Sequence, residues 1–400
     1  MAYSLFELRT EDIKELDDKQ LVELIRRLCE ADVLTAGEST KCVNYGGKSD
    51  ETDWGLDIVI TMKNDPPQSI YIPRQTTGVQ VKKSDMKPSK IQKEMSTHIG
   101  IGKSINWLAE QSGAYIIVSS GRSCTQPLLM ERKKMMRSSV SNIPESNKLD
   151  LDFFDLQKIT SWVNIYPGIV AWVKSALGKP QNDWYPYRIW SNPGTSERYI
   201  LDEKLRLFEY PNYTNQKDTV EAGINRIREK LFLPGSSIRL VGLSGVGKTR
   251  LVQALFESEV GERSLPQHWS LYSENNHPDP LPEEMAQILK NERQRIVLII
   301  DNCSREIHNK LTRCVKDSQI SLLTIDYDIQ DDLPSETDVF VLEPASKHML
   351  VELLNRTNPS FDSTVIDKIA SLSDGNSRIA LALVQAFRKS KDFGTLLDEE

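Results

Sequence analysis

Over residues 18–34 the apolar positions Leu21, Leu24, Ile25 and Leu28 recur at helical spacing and predict an amphipathic helix. The period then shortens. "GLDIVITM" (55–62) reads as a strand, and after a proline-containing turn region "TTGVQVKK" (76–83) alternates as another. There Val79 and Val81 face a core, while Gln80 and Lys82 project together from the opposite side. Taken locally, this is either a half-buried edge strand with a wet face or part of a phosphodiesterase site. "SKIQKEMSTHIGIGKSINWLAEQSG" has a helical pattern, and "AYIIVSS" is a buried strand. The polar run "RSSVSNIPESNK" has linker composition. The order α-β-β-α-β predicts a small α/β domain over residues 1–145.

Four of the seven tryptophans (Trp162, Trp172, Trp184, Trp190) fall within residues 146–195, in a helical pattern interrupted by Pro167. Aromatics at that spacing are expected to be core, in a bridging segment without chemistry of its own. From residue 196 the pattern becomes repeated β-α. "SIRLVGLSG", "RIVLIIDN", "SLLTIDYD" and "VFVLEPA" are apolar, β-branched runs, as in a parallel sheet covered on both faces. This core is expected over 196–345, followed by a purely helical lid over 346–400.

Composition changes this picture little. A chain of 400 residues with 39% hydrophobic and 27% charged positions is ordinary for two or three globular domains. Runs such as "RIVLIID" are far short of the ~18 residues a membrane span needs. The acidic N-terminus has no signal-peptide pattern, and the five cysteines form no C-x-x-C pair, so a cytoplasmic protein with reduced thiols and no membrane partner is expected. Charge distribution says more. Residues 1–150 carry 21 Lys/Arg and 21 Asp/Glu, leaving 29 against 36, the whole net −7, to the remainder. Within the neutral part, Lys82, Lys83, Lys87, Lys90, Lys93 and Lys103 meet only Asp85 and Glu94, a patch suited to a phosphate backbone.

"GLSGVGKT" (242–249) matches G-x-x-x-x-G-K-[ST], follows a strand and opens a helix. Backbone N–H groups of Gly242, Gly245, Val246 and Gly247 are placed to surround phosphates, with Lys248, Thr249 and Arg250 following. Lys248 is expected on the β/γ-phosphates of ATP and the Thr249 hydroxyl on Mg²⁺. About fifty residues on, Asp301 ends a buried strand at the place of the Mg²⁺-side carboxylate. This half of the chain resembles the STAND NTPases, signal-transducing relatives of AAA+ proteins. "GLSGVGKTRLVQALFE" is similar to their P-loop, and "LEPASKHMLVELL" with "IASLSDGNSRIALAL" to their lid, Gly375 to Ser377 standing at the G-x-P turn. Ser377 replaces that proline, "LLTIDYD" lacks the phosphate-sensing arginine, and Asn302 stands where relatives carry a second acid. An amide cannot accept a proton as a carboxylate does, so slow hydrolysis and a switching role are expected.

In the first domain, "DWGLDIVI" and "VQVK" place Asp57, Gln80 and Lys82 in the order of a PD-(D/E)xK nuclease. Asp57, Gln80 and the Val81 carbonyl are the oxygen ligands expected for Mg²⁺, with Lys82 serving the attacking water. "QLVELIRRLCEADV", "DWGLDIVI" and "GVQVKKSD" resemble the Mrr-like branch of restriction-endonuclease folds, which implies a further acid at Glu23. Asp53 and Glu38 are expected bystanders, and His98 structural.

Nuclease-like domain, bridge and STAND NTPase in that order resemble the bacterial antiviral STAND proteins (Avs or AVAST group). The resemblance implies recognition of a phage protein through a C-terminal sensor, ATP-driven homo-oligomerisation (a tetramer when active) and cleavage of double-stranded DNA. The chain ends at "KDFGTLLDEE", just after the lid, and is expected to be part of a longer protein. Two rivals remain open: a degenerate nuclease fold that only binds DNA or a partner, and a restriction-type DNA motor.

Overall fold

The computed structural model describes residues 6–45, 55–97, 99–179, 183–191, 198–210, 219–274, 278–327, 336–358 and 360–390. Asp53, His98 and the final "KDFGTLLDEE" lie outside them. The chain divides into two units, Met1–Gln181 and Asn182–Glu400.

The first unit begins with helices α1 (Thr10–Glu15) and α2 (Asp18–Thr35). A capping box starts α2: the Asp17 carboxylate accepts from Gln20 N at 2.8 Å, and the Gln20 side chain accepts from Asp17 N at 2.9 Å. Five strands follow, β1 (Val43–Tyr45), β2 (Ile58–Thr61), β3 (Thr76–Lys82), β4 (Ala114–Ser119) and β5 (Asp150–Phe154), lying side by side in chain order. The first three pair antiparallel and the last three parallel. Helical segments α3 (Pro88–Thr97) and α4 (Ile99–Glu110) connect β3 to β4. Helix α5 (Gln126–Ser139) connects β4 to β5, and α6 (Leu156–Val163) and α7 (Pro167–Ala176) complete the unit.

Two expectations change. The strand holding Gln80 is central, not an edge, with β2 on one side and β4 on the other. Its polar face is covered at Gln80, which is only 3% exposed, where Ile91, Leu108 and Met136 from the three covering helices pack with Tyr115 and Ile117, while Lys82 at the strand end is half-buried. The opposite face receives α2 through the buried Leu21, Leu24, Ile25 and Leu28. The segment expected to bridge is also partitioned. Residues 150–154 are the fifth strand, and Trp162 stacks on Tyr71 with centroids 5.0 Å apart. Buried Asp32 on α2 gathers this region, accepting from Trp162 Nε1 (3.1 Å), the Tyr166 hydroxyl (2.6 Å) and Tyr71 N (2.7 Å). A buried carboxylate is tolerated only when so satisfied. Trp184 and Trp190 belong instead to the second unit.

That unit runs β6 (Tyr185–Pro186), α8 (Tyr187–Trp190), β7 (Leu207–Tyr210), α9 (Val220–Leu231), β8 (Ser237–Val241), α10 (Lys248–Ala254), β9 (Ser270–Glu274), α11 (Pro282–Asn291), β10 (Ile296–Asp301), α12 (Arg305–Val315), β11 (Ile320–Ile325) and β12 (Thr337–Leu342). The sheet order is β6-β9-β10-β11-β8-β12-β7. The five inner strands are parallel and both edge strands antiparallel. Four of the five inner strands, β8, β10, β11 and β12, are the apolar runs because helices cover both faces of the sheet. On one side Ile224, Leu251 and Phe256 pack on Leu240, Ile299 and Leu323. Strand β9, "SLYSE", was not anticipated, since the buried serines Ser270 and Ser273 leave it without a continuous apolar run. Beyond the sheet, α13 (Lys347–Thr357), α14 (Ser363–Leu372) and α15 (Ser377–Ser390) form a small helical core around Leu350, Leu354, Ile366 and Val384. Gly375 (φ +78°) begins the turn into α15, and a Cβ there would lie 2.6 Å from Ala345 O. Among the described residues no helix is long and apolar enough to cross a membrane.

Candidate functional site

The loop 242–247 leaves β8 and turns into α10, with Lys248 and Thr249 in the first helical turn. Gly245 has φ +84°, a left-handed conformation in which an L side chain is strained, and a Cβ would also lie 2.9 Å from Arg378 Cβ. Lys248 Nζ folds back on the loop, donating to Gly242 O (2.6 Å) and Leu243 O (2.8 Å). Burial, aided by the Arg378 cation, pulls its ammonium below the usual range against Asp301 and Asp326. The Thr249 hydroxyl donates to Asp301 Oδ2 at 2.8 Å, joining the helix start to the end of β10. A threonine hydroxyl and a carboxylate are the hard oxygen donors that suit Mg²⁺. Arg250 is turned to Glu257 at 2.6 Å and lies over Tyr199.

Asn302 has φ +52°, a left-handed conformation asparagine tolerates, and its N–H closes on Asp301 Oδ1 at 2.9 Å. At the end of β11, where the sensing arginine is lacking, Asp326 instead pairs with buried Arg239. The lid supplies what β11 does not. From the start of α15, Arg378 N donates to Gly245 O (3.2 Å) and its guanidinium lies 3.4 Å from Ser244 Oγ, while Asn376 Nδ2 donates to Ser244 O (2.7 Å). Arg378 was missed, although it directly follows the turn at 375–377. A 740 Å³ cavity spans loop and lid, lined by Lys248, Thr249, Asp301, Glu274, Arg378 and Leu381 among others.

In the first unit the predicted residues converge, with partners the sequence did not suggest. Asp57 Oδ2 accepts from Val81 N at 2.7 Å. Gln80 Nε2 donates to Glu94 Oε1 at 2.7 Å, and the Tyr115 hydroxyl donates to Gln80 Oε1. Lys82 Nζ meets the same Glu94 oxygen at 2.7 Å. Burial, then Glu94 and Asp57, push the Tyr115 phenol far up, so it stays protonated and donates. Glu94, one of two acids in the lysine-rich stretch, braces the site. Glu23 pairs with Arg26 (2.7 Å) and Arg27 (2.9 Å) on its own helix. Glu38 receives Lys63 N and Asn64 N at 3.2 and 3.1 Å, bracing that turn. Among the described residues no three His, Cys, Asp or Glu side chains gather as a metal cluster. Asp57 and Gln80 already accept protein donors, from Val81 N and the Tyr115 hydroxyl.

The inner sheet order, the glycine loop and the Thr249–Asp301 pair together define a P-loop NTPase fold for the second unit. No protein-family model matches the chain. No curated protein matches it either. Among solved structures, PCH-2 from C. elegans overlaps 46% of this chain and 70% of its own, at 14% identity and a TM-score of 0.31. A STAND protein with a tetratricopeptide repeat sensor from Pyrococcus horikoshii, PH0952, overlaps 45% of this chain at 11% identity and a TM-score of 0.27. This chain covers 30% of that protein's length. Neither overlap is close enough to carry a function across.

Proposed function

We propose that the second unit is an ATP-operated switch of the STAND kind and that it governs a DNA-cutting first unit. The observation that carries the switch is the lid's hold on the P-loop: Arg378 and Asn376 bond Ser244 and Gly245, two residues of the phosphate cradle. ATP held by the N–H groups of that cradle lies beside those contacts, so occupancy and lid position are linked. Thr249 and Asp301 would hold Mg²⁺, which neutralises charge on the phosphates when bound. Lys248, released from the loop carbonyls, turns to the phosphates.

For the first unit, convergence of Asp57, Gln80, Lys82 and Glu94 supports a nuclease of the restriction type acting on double-stranded DNA. Assembly of several copies, triggered by a phage protein, would bring two such centres onto one duplex. Such a centre in a lone copy cuts one strand at most, which spares the cell until the trigger arrives. The test is plasmid cleavage with Mg²⁺, ATP and enforced oligomerisation. Lys82→Ala is expected to abolish cleavage and leave ATP binding unchanged, whereas Lys248→Ala weakens nucleotide binding at least tenfold. Cleavage that survives Lys82→Ala sinks the nuclease assignment.

One observation favours a second reading. Gln80 is tied at both ends, to Glu94 and Tyr115, which suits a degenerate domain that binds DNA or a partner without cutting. DNA binding with no cleavage by the assembled wild-type protein would select it.

A further inference from the structure

If Asn302 cannot accept a proton, hydrolysis needs a base from elsewhere. Among the described residues lining the 740 Å³ cavity, two carry carboxylates, Asp301 and Glu274. Asp301 is committed: Oδ2 accepts from Thr249 (2.8 Å) and Tyr272 (3.1 Å), and Oδ1 accepts from Asn302 N. Glu274 is the last residue of β9, exposed to the cavity, and in direct register with Asp301 across the parallel β9–β10 pair. Neighbouring strands are about 4.8 Å apart, so the two carboxyls start from adjacent backbone positions at one sheet edge. Tyr272 lies between them, its hydroxyl 3.1 Å from Asp301 Oδ2 and 3.5 Å from Glu274 Oε1. The ring is held by stacking on Trp190, centroids 4.5 Å apart, and Trp190 donates to Ser270 Oγ at 3.1 Å. The carboxylate is thus positioned from a rigid strand, not from a loop.

We propose that Glu274 is the general base for ATP hydrolysis, supplied by the strand beside Asp301 in place of a second acid at position 302. The proposal rests on the switch reading above. In the step, a Glu274 carboxylate oxygen takes a proton from water as the water oxygen bonds to the γ-phosphorus. The bond from that phosphorus to the β,γ-bridging oxygen breaks, and its electron pair leaves with ADP. Inorganic phosphate forms, and Glu274 returns the proton to solvent.

The experiment measures phosphate release and equilibrium binding of Mg²⁺-ATP by the full chain. Glu274→Gln is expected to lower kcat about 100-fold or more, the scale of a lost general base, while ATP affinity stays within threefold. Should Glu274→Gln fail to fold, Glu274→Asp, one methylene shorter, is expected to lose at least tenfold in kcat with binding intact. Turnover within threefold of wild type in a folded variant overturns the proposal. So does a wild-type protein that binds Mg²⁺-ATP without turning it over. A wild-type protein that binds no nucleotide overturns the switch reading as well, and the binding measurement separates these failures.

Discussion

Glu94 is one of only two acids in the lysine-rich stretch 82–103, and it takes a hydrogen bond from Gln80 and an ion pair from Lys82. Its role follows from α3 lying over β3, a tertiary fact with no local signature. Position 302 shows the converse: the left-handed backbone favours asparagine there, independently of any chemistry asked of it. His308 carries a stability consequence. It is fully buried on α12 between Thr324 (2.8 Å) and Thr337 (2.9 Å), and burial, aided by Arg239, pulls its pKa down to about 3. The unfolded chain, with an ordinary histidine near pH 6.5, therefore binds the extra proton first. Stability is full above about pH 6.5 and falls as the pH drops toward 3, by up to about 1.4 kcal/mol per unit. Urea unfolding of wild type and His308→Gln between pH 7 and 5 checks this; the variant should show the shallower slope.

Among the elements, β5 and β9 decide most and were least expected. The helical reading of residues 146–195 holds for α6 and α7, but β5 joins a sheet whose other strands lie far back in the chain. Asp32 is the side chain that anchors this region. Asp32→Ala leaves the Trp162 indole N–H and the Tyr71 N–H short of an acceptor. A cost of about 3 kcal/mol or more is expected, at roughly 1–3 kcal/mol per buried unsatisfied group. Denaturant unfolding measures it, and Asp32→Asn should recover part of the loss. The P-loop and Asp301 were legible because phosphate cradles are built from consecutive residues and buried parallel strands are continuous apolar runs. Glu274 was not, because "SLYSE" shows its burial only once β10 lies beside it.

For the molecule as a whole, the proposed switch predicts coupling between nucleotide and assembly. Arg378 reaches the loop from α15 and lies close enough to depress Lys248. Arg378→Ala is expected to weaken Mg²⁺-ATP binding about tenfold, or ~1.4 kcal/mol. ATP-dependent oligomerisation, followed by sedimentation with and without nucleotide, should be lost in Lys248→Ala and reduced in Arg378→Ala. An oligomeric state indifferent to both substitutions would remove the switch from the account.

By itself the sequence determined the α/β class, the phosphate loop with Lys248 and Thr249, the strand carrying Asp301, and the grouping of Asp57 with Gln80 and Lys82. Each depends on residues close in the chain or on a periodicity that burial imposes. Tertiary structure alone decided that Gln80 lies in a covered central strand, that Glu94 and Tyr115 hold it, that Arg378 meets the P-loop, and that Glu274 stands beside Asp301. Those relations join elements through strand order and helix docking, and the free energy that selects them comes from packing between segments far apart in sequence.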